Sequence, residues 1–328
     1  MSADRRTFLG GLALFAGATA AVAQGQTPFA GDPSAPAFPP RERFPLWPGK
    51  PSGAPAQPIV PNWTMNNPPP HRELWIRGVP TPEVHVFRAP RPDGSALLVI
   101  PGGSYEFLSV QNEGMDAARP FNARGTTVFV LTYRLPAEGW TKRQFVPLQD
   151  AQRAMRLIRS RATSLAVDPK RLGVLGFSAG GHLAADVATS FAATVYARVD
   201  SADDLSARPA FAGLIYPVAT LEPDIGHAGS RDNLLGPKAS AELMAARSPL
   251  RHVTADTPPC FLVHAFDDDT VPVANSQRWV DACQAARVPV EAHLFTEGGH
   301  GFGFHLAPDM PASRWPELFA LWLRKHGG

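Results

Sequence analysis

The sequence predicts an α/β protein whose sheet is doubly wound and mostly parallel, with helices on both faces and a small lid-like excursion. Three observations carry that prediction. Continuous apolar runs at 96–100, 127–133, 172–175, 211–217 and 260–266 have the composition of strands buried on both faces. Segments with the amphipathic period of about 3.6 residues alternate with them. At 176–180 a Gly-x-Ser-x-Gly motif falls where one such run passes into an alanine-rich helical segment, so a serine stands at a strand-to-helix turn.

From the N-terminus, Arg5-Arg6 precedes Phe8-Leu9 and a moderately apolar stretch, and Ala21-Val22-Ala23 offers small residues for cleavage. This order predicts an export signal over 1–23 of twin-arginine type, with the general secretory route as the alternative. The run is too short and too rich in Gly and Ala for a membrane span, so a mature chain beginning near Gln24 is expected in the periplasm or outside the cell, off the membrane. Residues 24–80 are proline-rich and predict an extended arm wrapped over a main domain at 81–328, or a partly disordered leader. Trp47, Trp63 and Trp75 pin that arm down, because exposed indoles are unfavourable.

Residues 83–88 alternate Val84 and Val86 with Glu83 and His85, the period of a half-buried strand. The run 96–100 ends in Pro101-Gly102-Gly103-Ser104-Tyr105; a helix is expected over 112–123, then the strand 127–133. Leu148, Ala151, Met155, Ile158, Ala162 and Leu165 form one apolar stripe along 147–167, with Pro147 at its start, which predicts a long amphipathic helix. After the serine turn come strands at 211–217, 260–266 and 290–295, a helix over 273–286, and a closing helix at 314–325. The one long interruption, 218–259, separates two buried strands and is expected to be a lid or substrate-binding segment.

A chain of 328 residues with 44% hydrophobic content buries a large core, and a net charge of +2 with dispersed basic residues argues against a nucleic-acid partner. The two cysteines, Cys260 and Cys283, exclude a disulfide scaffold and a cysteine-rich metal site. They fit either a single bridge or two buried free thiols.

A serine hydroxyl attacks a carbonyl only when a base takes its proton and an acid orients that base. Downstream of Ser178, the strand at 260–266 runs into Asp267-Asp268-Asp269, and the strand at 290–295 runs into Gly298-Gly299-His300-Gly301. His300 is expected to be the base; His264 and His293 fall inside strands and read as structural, and His305 is the remaining neighbour. Asp268, three residues before Val271-Pro272, is chosen as the acid, with Asp267 and Asp269 left to meet solvent or cap a helix. The backbone N–H of Ala179, with those of Gly103 and Ser104, supplies donors for an oxyanion. Tyr105, Glu106, Trp140 and Tyr216 are placed to shape a substrate pocket, with packing as the alternative role. No metal-ligand cluster is recognisable and no cofactor is called for.

The order Ser, Asp, His, with a glycine-rich loop upstream, resembles the α/β-hydrolase fold. More narrowly, the stretches at 101–105, 147–154, 176–184 and 268–276, with Leu46-Trp47-Pro48-Gly49-Lys50, resemble bacterial acetylxylan-esterase-like proteins of the esterase/lipase branch. The resemblance runs from about residue 44 to the end. It implies cofactor-free serine carboxylesterase chemistry on acetyl esters of plant cell-wall sugars, a small-molecule or oligosaccharide substrate, and supports Ser178, Asp268 and His300 as the triad. Two departures stand out: Pro101 occupies the place where the lipase branch carries His, and Ser104 replaces the third glycine of the commoner pattern. Both retain the backbone donors of the loop. A peptidase of the same fold is the first alternative, although the residues before Ser178 leave no room for the propeller domain usual in prolyl-type peptidases. A non-catalytic carbohydrate-binding relative is the second. Oligomeric state is not encoded in any pattern found. Because an imidazole must be neutral to accept a proton, the rate is expected to fall in acid.

Overall fold

The computed structural model describes residues 37–68 and 72–326. The expected export signal and the first part of the proline-rich segment lie outside the described residues. Eleven strands are present among them: β1 (Arg43–Pro45), β2 (Asn62–Asn66), β3 (Glu73–Arg77), β4 (Glu83–Phe87), β5 (Ala96–Ile100), β6 (Leu108–Ser109), β7 (Thr127–Thr132), β8 (Leu172–Phe177), β9 (Ala212–Ile215), β10 (Cys260–Ala265) and β11 (Val290–Phe295). The helices are α1 (Ala118–Asn122), α2 (Val146–Ser160), α3 (Ala162–Leu165), α4 (Ser178–Ser190), α5 (Ala228–Leu235), α6 (Ala241–Ala246), α7 (Ala274–Ala285) and α8 (Trp315–His326).

The main sheet runs β1-β4-β7-β5-β8-β9-β10-β11. From β7 onward every neighbour is parallel, while β4 pairs antiparallel with β7 and with β1. Each residue of β5, β7, β8 and β10 is buried, which is why these segments read as unbroken apolar runs rather than alternating ones. Parallel strands place their carboxyl ends on one rim, so the loops after β5, β8, β10 and β11 meet there. One apolar cluster under the sheet joins β5, β8 and β10 to α2, α4 and α7; the other, on the opposite face, gathers Phe177, Phe211, Phe261, Trp315 and Phe319 under α8.

Three expectations need correction. The proline-rich stretch is not a separate arm: it supplies β1 to the main sheet, and β2 and β3 pair with β6 in a small antiparallel sheet of their own. Its pinning is polar as well as apolar, since Trp47 Nε1 donates to Asp150 Oδ1 at 2.8 Å and Arg153 Nε to the Leu46 carbonyl at 3.0 Å. The helix expected over 112–123 is reduced to a 3₁₀ turn, Met115–Ala117, and the five-residue α1, because the backbone leaves the helical region at Gly114 (φ −134°, ψ −93°). The stripe at 147–167 breaks at Arg161 (φ −106°), giving α2 and α3 instead of one helix.

The 218–259 excursion contains α5, α6 and the 3₁₀ turn Pro249–His252, which packs on α4. Arg247 in it forms a buried ion pair with Asp186 of α4, and its carbonyl accepts from His182 Nε2 at 2.9 Å. Cys260 and Cys283 are both buried and unbridged.

Candidate active site

β8 delivers the chain to Ser178, the first residue of α4, with φ at +51°, in the left-handed region where a side chain is strained. The turn closes because Gly176 and Gly180 interlock: a Cβ on Gly176 would stand 2.2 Å from the Gly180 carbonyl oxygen, and one on Gly180 2.1 Å from that of Ile100. Ala179, second in the helix, has an amide with no intrahelical acceptor.

Ser178 Oγ lies 2.8 Å from His300 Nε2, and His300 Nδ1 lies 2.7 Å from Asp268 Oδ2. These side chains come from the turns after β8, β11 and β10, up to 122 residues apart in the chain. Asp268 also accepts from the amides of Thr270 and Val271, at 3.0 and 2.8 Å, through Oδ1. Burial raises the Asp268 pKa, but bonds from His264 and His300 outweigh it and hold the carboxyl well below its ordinary range. Its acceptor bonds require Nδ1 of His300 to carry a proton, which leaves Nε2 facing the serine hydroxyl as an acceptor.

The flanking aspartates do other work. Asp267 accepts from the amides of Gly298 and Gly299, at 3.2 and 2.8 Å, and so ties down the loop that bears His300. Asp269 takes only the Thr270 hydroxyl, at 3.1 Å, near the surface. His264, fully buried in β10, donates from Nε2 towards Asp268 Oδ2 and the Val271 carbonyl, and its Nδ1 meets Ser276 Oγ at 2.8 Å. It is structural, as its place inside a strand implies, yet it braces the acid directly. His293 pairs with Glu291, and His305 with Asp116, whose carboxylate raises its pKa.

The loop after β5 lies against the serine. A Cβ on Gly102 would meet Ser178 Cβ at 3.0 Å. The Gly102 amide is taken by Glu113 Oε2 at 2.9 Å, and the amides of Glu106, Phe107 and Ser109 close the loop on the carbonyls of Gly103 and Gly102. The amides of Gly103 and Ser104 enter none of these bonds. Gly103, Ser104 and Tyr105 all have positive φ, at 118°, 54° and 59°. Asn233 of α5 holds the Ser104 carbonyl from above at 3.0 Å.

The aromatic residues expected at a substrate pocket are buried in the protein. Tyr105 is buried with its hydroxyl 2.8 Å from His182 Nδ1, and Trp140 is buried under the Arg134 guanidinium. Tyr216 is fully buried, and its hydroxyl donates to Glu113 Oε1 at 2.8 Å. Glu106 alone of that group is exposed, paired with Arg77 at 3.1 Å. Sequence reasoning missed Glu113, Asn112, His182 and Asn233. The one signal for the first two was Asn112-Glu113-Gly114, a polar and glycine interruption in a segment read as helix. Among the described residues no group of His, Cys, Asp and Glu is arranged to hold a metal ion.

Residues 89–282 match the BD-FAE family. An acetylxylan esterase of Xylanibacter ruminicola is 32% identical over 225 residues, 66% of this chain and 43% of that one. An endo-1,4-beta-xylanase B of Butyrivibrio fibrisolvens is 36% identical over 205 residues, 62% of this chain and 32% of that one. The chain thus spans less than half the length of either. Among solved structures, an acetyl ester-xyloside bifunctional hydrolase of Caldicellulosiruptor lactoaceticus superposes with a TM-score of 0.74 at 32% identity, covering 89% of this chain and 99% of that one.

Proposed function

The chain belongs to the BD-FAE family of α/β-hydrolases, and on that premise we propose that it is a serine carboxylesterase that removes acetyl groups from plant cell-wall carbohydrate such as acetylated xylan. The observation that carries the chemistry is the unbroken contact from Ser178 Oγ through His300 to Asp268, at 2.8 and 2.7 Å. Ser178 attacks the ester carbonyl as its proton passes to His300 Nε2, forming a tetrahedral intermediate. The amides of Ala179, Gly103 and Ser104 receive the oxyanion. His300 then protonates the departing sugar hydroxyl, leaving an acyl-enzyme. Water then attacks the acyl carbon as it loses a proton to the same nitrogen, the bond to Ser178 Oγ breaks as His300 returns that proton to it, and acetate leaves. Asp268, kept ionised, fixes the imidazole tautomer and stabilises the imidazolium as it forms.

Acetylated carbohydrate is favoured over longer acyl chains by the names of the relatives. Glycosidic cleavage, which the xylanase and xyloside names bring into view, requires two carboxyl groups across a sugar ring. Asp268 and Glu113, the carboxyl groups bonded to His300 and to the loop after β5, are buried and already accept protein donors. A panel of acetylated xylo-oligosaccharides, p-nitrophenyl acetate, octanoate and β-xyloside on purified protein tests the proposal. Acetyl esters should turn over at least about tenfold faster than the octanoate, in line with the loss expected for a few unaccommodated methylenes, and the xyloside not at all. Preferred octanoate, or xyloside cleavage, would contradict it. Export through the twin-arginine route belongs to the same proposal, and lysine in place of Arg5 and Arg6 should leave the precursor inside the cell.

A further inference from the structure

Two loops must be in register for the proposed chemistry: the one that carries the oxyanion amides and the one that carries His300. Both are held by a pair of consecutive residues outside the triad. Asn112 Nδ2 donates to the Gly301 carbonyl at 2.9 Å, and its Oδ1 accepts from the Phe304 amide at 3.0 Å. Glu113 Oε2 accepts from the Gly102 amide at 2.9 Å, while its Oε1 accepts from the Tyr216 hydroxyl at 2.8 Å. That hydroxyl in turn accepts from the Gly303 amide at 2.9 Å. The Tyr216 ring stands edge-on to the His300 imidazole, centroids 4.9 Å apart, and to Phe302 at 4.6 Å. Tyr216 reaches this position from a backbone φ of +37°, so strain is tolerated to place it.

We propose that Glu113, ionised and acting through Tyr216, is a positioning residue that holds the oxyanion loop and the catalytic imidazole in register with each other. This rests on the triad assigned above. Ionisation follows from the donors: the Gly102 N–H and the Tyr216 O–H each point at a different carboxylate oxygen, and a proton on either oxygen removes one acceptor. The charged and titratable groups facing Glu113 are His300 from the loop after β11, Glu73 from β3, Tyr216 after β9 and Tyr133 after β7. Burial pushes the Glu113 pKa up to about 7, against the Tyr216 bond and the His300 charge, which favour the carboxylate. The brace is therefore assembled above neutrality and loses an acceptor below it.

Four proteins test this: wild type, Glu113→Gln, Tyr216→Phe and the double variant, each counted by fluorophosphonate titration so that only competent sites enter kcat, with Ser178→Ala as the blank. Glu113→Gln is expected to lower kcat on p-nitrophenyl acetate about 10- to 100-fold, the range for a displaced reacting group, with KM changed less than about threefold. Tyr216→Phe should lower it less, and the double variant should be no slower than the slower single, because both cut one chain of bonds. The acid limb of kcat/KM should be steeper than one proton in wild type and fall to one proton in Glu113→Gln. The brace also has a readout apart from turnover: the Gly303 amide should exchange hydrogen faster in Tyr216→Phe. A kcat per titrated site within twofold of wild type in both singles, losses that multiply in the double, or an unchanged acid limb would overturn the proposal. Should Glu113→Gln fail to fold, Tyr216→Phe decides through its kcat and the Gly303 exchange. An unlabelled wild type, or an active Ser178→Ala, would sink the triad, while the exchange of Gly303 would still report on the brace.

Discussion

Two adjacent positions in the loop after β5, both proposed as oxyanion donors, have opposite tolerance to change. Gly103 has φ of +118°, and a Cβ there would stand 2.1 Å from the Phe107 carbonyl oxygen, so Gly103→Ala must displace the loop backbone. Ser104 carries a side chain at φ +54°, where glycine is the less strained residue. Because the donor is the backbone amide, Ser104→Gly should keep turnover within a few-fold and stability within about 1 kcal/mol, whereas Gly103→Ala should lose at least about 100-fold in kcat; steady-state kinetics and thermal melts check both. Glu113 supplies a prediction with an explicit sign. Its folded pKa, about 7, lies above the unfolded value of roughly 4.3. Its contribution is therefore fully present below roughly pH 4.3 and is lost as pH rises through about 7. Glu113→Gln, which cannot titrate, should gain melting temperature relative to wild type across that interval while losing turnover. Asp268 has the opposite sign: its lowered pKa gives stability that is lost only as pH falls below the ordinary carboxylate range. The three residues proposed as the triad were legible in the sequence because each follows a predicted strand, in the order Ser, Asp, His. Glu113 was not, because its meaning depends on Tyr216, 103 positions away.

At the scale of elements, β5, β7, β8, β9 and β10 fall where apolar runs stood in the sequence, since burial on both faces leaves an unmistakable composition, whereas β4 showed through its alternation and β11 has no buried residue. The small sheet was hidden. β2 is exposed to half-buried and β6 has two residues, so neither carries a period long enough to detect. The attachment of the N-terminal segment was likewise invisible, because it depends on the buried pair of Arg134 and Asp150, 1% and 0% exposed, with Trp47 as a third partner. Asp150 receives Arg134 through Nε, Nη2 and the backbone amide. Asp150→Ala removes one member of a buried pair and should cost about 3–5 kcal/mol in urea unfolding. It should also open the chain near Trp47 to protease before the rest. A loss under about 1 kcal/mol would mean that the apolar contacts of Phe44 and Leu46 hold this segment without help.

For the molecule as a whole, the parallel sheet acts as a jig. It places the loops after β5, β8, β10 and β11 on one rim, and the excursion between β9 and β10 is tied to the loop after β5 by Asn233 on the Ser104 carbonyl and to the body of α4 by Arg247 on Asp186. The helices inside 218–259 are too short to have been read from periodicity. The central claim is that residues from three separate turns make one nucleophile. Reaction with a fluorophosphonate, followed by peptide mapping, tests it most directly. A single adduct on the peptide containing Ser178, absent in Ser178→Ala together with esterase activity, is the predicted result. An adduct on another residue, or ester hydrolysis that survives Ser178→Ala, would contradict it.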